Sequence, residues 1–180
     1  MKKLLFTAAA VVAFGFANAQ EVKYGAKAGL NMSNVTGDAI TLSKIGFNVG
    51  GFAEIGISEK FAVQPELLFS MLGAKDNENN YDFNYILVPI MAKYFVTEEL
   101  SLEAGPQVGF LMSAKYDGKD IKDSYKSTDF GVNFGAGYNI FENINIGVRY
   151  SLGLSNIADV DGFDVNLKNS NFSLGLGYKF

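Results

Sequence analysis

The sequence of 180 residues has no cysteine, no histidine, no tryptophan and only three prolines. Without cysteine there is no disulfide framework, no thiolate metal site, no cysteine nucleophile and no lipid attachment through an N-terminal cysteine. The missing histidine removes the commonest general base. Ser-His and Asp-His mechanisms go with it, as do histidine-ligated zinc and haem. Charged residues are scarce at 19%. After residue 20 no apolar run approaches the roughly 20 residues that a spanning helix requires. What remains is aromatic and small: 16 Phe, 9 Tyr and 20 Gly in a chain that is 48% hydrophobic. Such a chain is too apolar for disorder and must bury its surface or place it in lipid. Its length fits one domain.

The N-terminus reads as an export signal. Lys2 and Lys3 give a positive start, Leu4 to Ala17 an apolar run of 14 residues, and Ala17-Asn18-Ala19 a small-residue cleavage motif. The expectation is a cleavable signal over 1–19 and a mature domain over 20–180. Removing Lys2 and Lys3 leaves 13 basic residues against 19 acidic, a net charge of −6. An acidic exported chain is a poor partner for nucleic acid.

Beyond the signal the hydrophobic period is two. Phe172, Leu174, Leu176, Tyr178 and Phe180 alternate with Asn171, Ser173, Gly175, Gly177 and Lys179. Ile144 to Leu154 and Asp129 to Ile140 repeat the pattern, and Leu100 to Lys115 continues it. Val22 to Met32, Lys44 to Ile57, Phe61 to Gly73 and Phe83 to Phe95 are less regular. Each of these eight segments is long enough for a tilted transmembrane strand, about 9 to 11 residues. Short connections at 58–60, 96–99 and 142–143 alternate with long polar ones at 33–43, 74–82, 116–127 and 155–170. Short turns at one end and long loops at the other suit an outer-membrane barrel. The predicted fold is therefore all-β, an eight-stranded antiparallel up-and-down transmembrane β-barrel preceded by a cleavable signal peptide.

Alternation alone does not say which face is inside. A soluble lipocalin-like barrel shows the same period with its apolar face inward. A solvated outer wall should be rich in Lys, Glu and Thr. Here the polar face is mostly Gly, Asn and Ser, as at Gly25, Gly29, Gly131, Gly135, Gly147 and Gly175, which suits a crowded lumen. Aromatics gather at segment ends, where interfacial girdles form. The lipid-facing reading implies export to the cell outer membrane, with outer-membrane lipid as the barrel's solvent.

The prolines fall inside proposed strands, where a missing N–H implies a bulge or a lost ladder bond. The stretches containing them, Ala62-Val63-Gln64-Pro65-Glu66-Leu67-Leu68-Phe69, Tyr85-Ile86-Leu87-Val88-Pro89-Ile90-Met91-Ala92-Lys93-Tyr94 and Glu103-Ala104-Gly105-Pro106, resemble the PorT-like outer-membrane β-barrel family. The resemblance covers about Val22 to Phe180 and implies an eight-stranded outer-membrane barrel of the porin-family type, with an accessory role in secretion as the family name suggests. Members often carry a carboxylate two residues before the second proline; this chain has Leu87 there.

Keeping the alternation in register, Lys23, Lys27, Glu54, Glu66, Lys93, Glu103, Arg149 and Lys179 point into the lumen. An eight-stranded barrel is just wide enough for its interior to be filled by side chains, so these charges should pair across it. Glu66 with Lys93, and Lys93 with Glu103, are the neighbouring-strand candidates. The expected role is a structural salt-bridge plug, with a proton or ion path as the functional alternative. Phe172, Leu174, Leu176, Tyr178 and Phe180 resemble the terminal signal read by the barrel-insertion machinery. Asp159 to Asp164 lacks ligands of the EF-hand pattern, and Gly131 to Gly137 lacks the lysine and helix of a phosphate loop, so no metal, cofactor or catalytic residue is predicted. The long connections hold ten acidic residues against five lysines, a net −5, which favours cations over phosphate. Three functions stay open at this point: a non-enzymatic barrel acting through its loops, a small-solute channel, and a soluble exported binding barrel.

Overall fold

The computed structural model describes residues 21–37, 42–76, 79–159 and 166–180. The predicted export signal lies outside them, as does most of the acidic Asp159 to Asp164 segment. The strands are β1 (Val22–Gly37), β2 (Leu42–Ser58), β3 (Phe61–Asp76), β4 (Asn79–Phe95), β5 (Leu100–Tyr116), a two-residue β6 (Lys119–Asp120), β7 (Thr128–Asn139), β8 (Ile144–Gly153) and β9 (Leu167–Lys179). Every pairing is antiparallel. The eight long strands follow chain order around a ring, and β1 closes it against β9 from Gly25↔Lys179 to Gly37↔Leu167. Closure leaves no open edge, the condition for a sheet in lipid. The turns after β2, β4 and β7 share one end of the barrel with both termini of the described chain, the periplasmic end in this class of barrel.

The apolar row faces outward. Phe134, Val148 and Leu176 are 50%, 41% and 53% exposed on the outer wall, whereas Arg149 is 8% exposed inside. Gly135, also predicted to face inward, carries a second constraint. A Cβ there would press on the carbonyl of Val148, and at Gly105 and Gly50 it would collide with the carbonyls of Ile90 and Leu67. Close approach of neighbouring backbones therefore requires these glycines, in addition to the limited lumen volume.

Two expectations are corrected. The first is that long loops occupy 33–43 and 74–82. Instead β1 runs to Gly37, β2 begins at Leu42, and β3 and β4 face each other as far as Asp76↔Asn79. Side-chain polarity ends the lipid-facing stretch but does not end a ladder made by backbone groups. β1 to β5 consequently have 16 or 17 residues, against 10 in β8.

The second correction concerns the lumen, which is not lined by small and polar groups throughout. Leu68, Leu72, Phe83, Tyr85, Leu87 and Leu111 point inward from β3, β4 and β5 and are buried. These strands are apolar on both faces, so alternation could not separate inside from outside there.

Of the bulge or lost ladder bond expected at the prolines, the ladder shows the second: they introduce no register shift at their own positions. The ladder is interrupted beside each of them: between Phe52↔Glu66 and Ile55↔Val63, between Pro65↔Ile90 and Leu68↔Leu87, and between Pro89↔Gln107 and Ala92↔Ala104. The register resumes unchanged on the far side, so these are lost ladder contacts and not bulges. The shift in the β4–β5 ladder lies elsewhere, between Asn84 and Tyr85.

Candidate functional site

Among the described residues, buried charge, polar groups and apolar side chains come together in the barrel interior, which is layered along the axis. At the periplasmic end is an open mouth of about 930 Å³, lined by Glu21, Lys23, Glu59, Phe95, Glu98 and Glu142 and floored by Glu54 and Lys179.

Above that floor is a charge network. Arg149 on β8 grips Glu66 on β3 with two hydrogen bonds of 2.8 Å, and also donates to Glu103 at 3.2 Å. β3 and β8 lie four positions apart in either direction around the ring, so this fork spans the full diameter. Lys27 donates to Glu66 at 3.2 Å and Gln64 to the same carboxylate at 2.7 Å. Lys93 joins Glu54 at 2.7 Å to Glu103 at 3.4 Å, and Lys179 closes on Glu54 at 2.7 Å. Two expected features differ. Lys23 stays out of the network and faces Glu21 at 3.4 Å, where both side chains are well exposed. Glu66 does not meet Lys93, because Ala62 is the β3 residue that lies opposite Lys93. Parity predicts which face a residue takes, whereas the strand stagger decides its partner.

The next layer is neutral. Asn31 donates to Ser70 at 2.9 Å and accepts from Asn48 at 2.7 Å, and Asn133 donates to Gln107 at 3.3 Å. Asn169 then donates to Asp129 at 2.8 Å, and Ser155 to the same carboxylate at 2.7 Å.

The extracellular end is apolar. Val35, Leu72, Phe83, Leu111 and Ala114 pack with Ile157, which is fully buried and comes from the segment joining β8 to β9. A single bridge pairs Tyr125 with Ala158, so the two long connections close over the barrel together. The Phe83 and Tyr125 rings lie 4.9 Å apart, edge to face. Burial pushes the Tyr125 phenol up to about 12. This plug escaped the sequence reading; the only signal for it was the two-sided apolar character of Phe83 to Val88.

Phe172, Leu174, Leu176 and Tyr178 form an outward row on β9, with Phe180 just beyond its end and 81% exposed. The Tyr178 and Phe180 rings are 5.7 Å apart. Among the described residues no cluster of acidic side chains could hold a metal ion.

A closed eight-stranded barrel with a lipid-compatible outer wall and a filled interior defines an integral outer-membrane protein. The chain belongs to the family of outer membrane protein beta-barrel domains, whose model matches residues 16–159. A comparison with curated proteins found no match. Among solved structures, Ail, the attachment invasion locus protein of Yersinia pestis, in complex with the heparin analogue sucrose octasulfate, is 22% identical with a TM-score of 0.54, covering 89% of this chain and 99% of that one. Neisserial surface protein A is 15% identical with a TM-score of 0.61 over the same shares. These likenesses concern the fold. The protein resides in the cell outer membrane, and the soluble-barrel alternative is overturned by the family match and by the outward apolar wall.

Proposed function

We propose that the protein is a non-enzymatic outer-membrane barrel with a structural or interaction role, acting through its extracellular end and closed to solutes. The observation that carries this reading is the filled lumen. The Arg149–Glu66 fork crosses the whole diameter, and an apolar plug lies between it and the outside. A conducting pore needs a continuous wet path, and a packed apolar constriction resists wetting. The interior carboxylates of the charge network, including Glu54 at the floor of the mouth, are all engaged by cations, which favours a structural plug over chemistry.

Maturation by removal of 1–19, insertion guided by the Phe172 to Phe180 row, and membership of the PorT-like subgroup with a secretion-accessory role belong to the same reading. Ail is seen with a polyanion. Here the segments that join the long strands at that end carry eight acidic residues against three lysines, so a partner with a cationic surface suits them better. The test is reconstitution of the purified barrel in planar bilayers. The expected result is no steady single-channel conductance; defined conductance steps would replace this reading with the channel.

A further inference from the structure

The geometry points to a binding site for a single small inorganic anion, of the chloride type, inside the charge network. Four cations, Lys27, Lys93, Arg149 and Lys179, meet three carboxylates, Glu54, Glu66 and Glu103, so the network carries one excess positive charge. Outside the network, the buried carboxylate of Asp129 is held by Asn169 and Ser155 beyond the neutral layer, and the mouth's Glu21, Glu59, Glu98 and Glu142 are solvent-exposed. An uncompensated charge in a confined interior is costly. The second observation is independent of charge. Both Arg149 Nη atoms are engaged, but its buried Nε meets no acceptor among the described residues, although the Arg149 side chain is only 9% exposed. The third is space. A chamber of about 20 Å³ lies between Lys27, Lys93, Arg149, Gln64 and Ser101, room for one particle of water size. The Lys27, Lys93 and Arg149 cations line it with Gln64 and Ser101, and the Glu103 carboxylate in its wall is already held by Lys93 and Arg149. A water molecule there would satisfy Nε and leave the charge uncompensated, whereas a monatomic anion does both. Asn139 lines both the chamber and the open mouth, so the ion enters from the periplasm.

The site makes the barrel's heat resistance depend on anion identity. The test compares the temperature at which the folded electrophoretic form of the full mature protein converts to the unfolded one, in sodium chloride and in sodium gluconate at equal ionic strength. Conversion is expected roughly 3–5 °C higher in chloride. Lys27→Met removes the excess charge while Arg149 still holds Glu66, and should abolish that difference. Equal temperatures for the parent protein, or a difference that persists in Lys27→Met, overturn the site. Should Lys27→Met fail to fold, crystals of the parent grown in bromide decide: an anomalous-scattering peak beside Arg149 Nε upholds the site, and water there overturns it.

Discussion

Glu66 is the residue on which the interior turns. It is 3% exposed and receives Arg149, Lys27 and Gln64. Removing one partner of a buried pair leaves the other charged and desolvated, at a cost of about 3–5 kcal/mol. Glu66→Ala should therefore lower the heat-conversion temperature of the barrel. Lys23→Ala serves as the contrast: its pair with Glu21 is well exposed, and surface pairs contribute about 0–1 kcal/mol, so the temperature should stay unchanged. At Tyr125 the fold favours the neutral phenol. Its stabilising effect is present below the ordinary value of 10.0 and is lost as pH rises through about 12. A spectrophotometric titration of Tyr125→Phe should lack a tyrosinate component near 12 that the parent shows. Residue direction was legible in the sequence wherever a polar face opposed an apolar one, as at Arg149 between Val148 and Tyr150. Partner identity was not, because a two-residue period carries no information about how far one strand slides along the next.

At the scale of elements, β3, β4 and β5 stand apart from the rest of the wall. Each carries one proline, and a ladder gap lies next to each. Backbone amides beside the gaps, such as those of Met91 and Gly105, should exchange hydrogen faster than those of Phe134 and Val148, where pairing is continuous. Exchange measured by mass spectrometry after digestion checks the ordering, and uniform protection around the ring would contradict it. The same three strands supply most of the inward apolar side chains of the plug, joined by Val35 of β1 and by Ile157. In β7, β8 and β9 glycine and asparagine oppose bulky residues, so strand position and facing could both be read from the sequence. In β4 the run Tyr85-Ile86-Leu87-Val88 presents apolar groups to both sides, and only three-dimensional closure shows which of them meet Leu72 and Ile157.

For the whole molecule, the unequal strand lengths shape the outer rim. β1 to β5 rise several residues beyond β8, and the connections around Tyr125 and Ile157 fold across the lower side. Ile157→Asp places an unpaired charge in the plug and should loosen that cover. Limited proteolysis from outside the cell should then cut faster between β5 and β7, while the charge network keeps the barrel non-conducting.

The fork between Arg149 and Glu66 joins residues 83 positions apart on opposite staves of the cylinder. In a growing, still open sheet the two groups cannot reach each other, and each would enter the bilayer bare. Lipid therefore penalises a flat, open form that leaves the two groups apart, and closing the ring along the β1–β9 seam buckles them together.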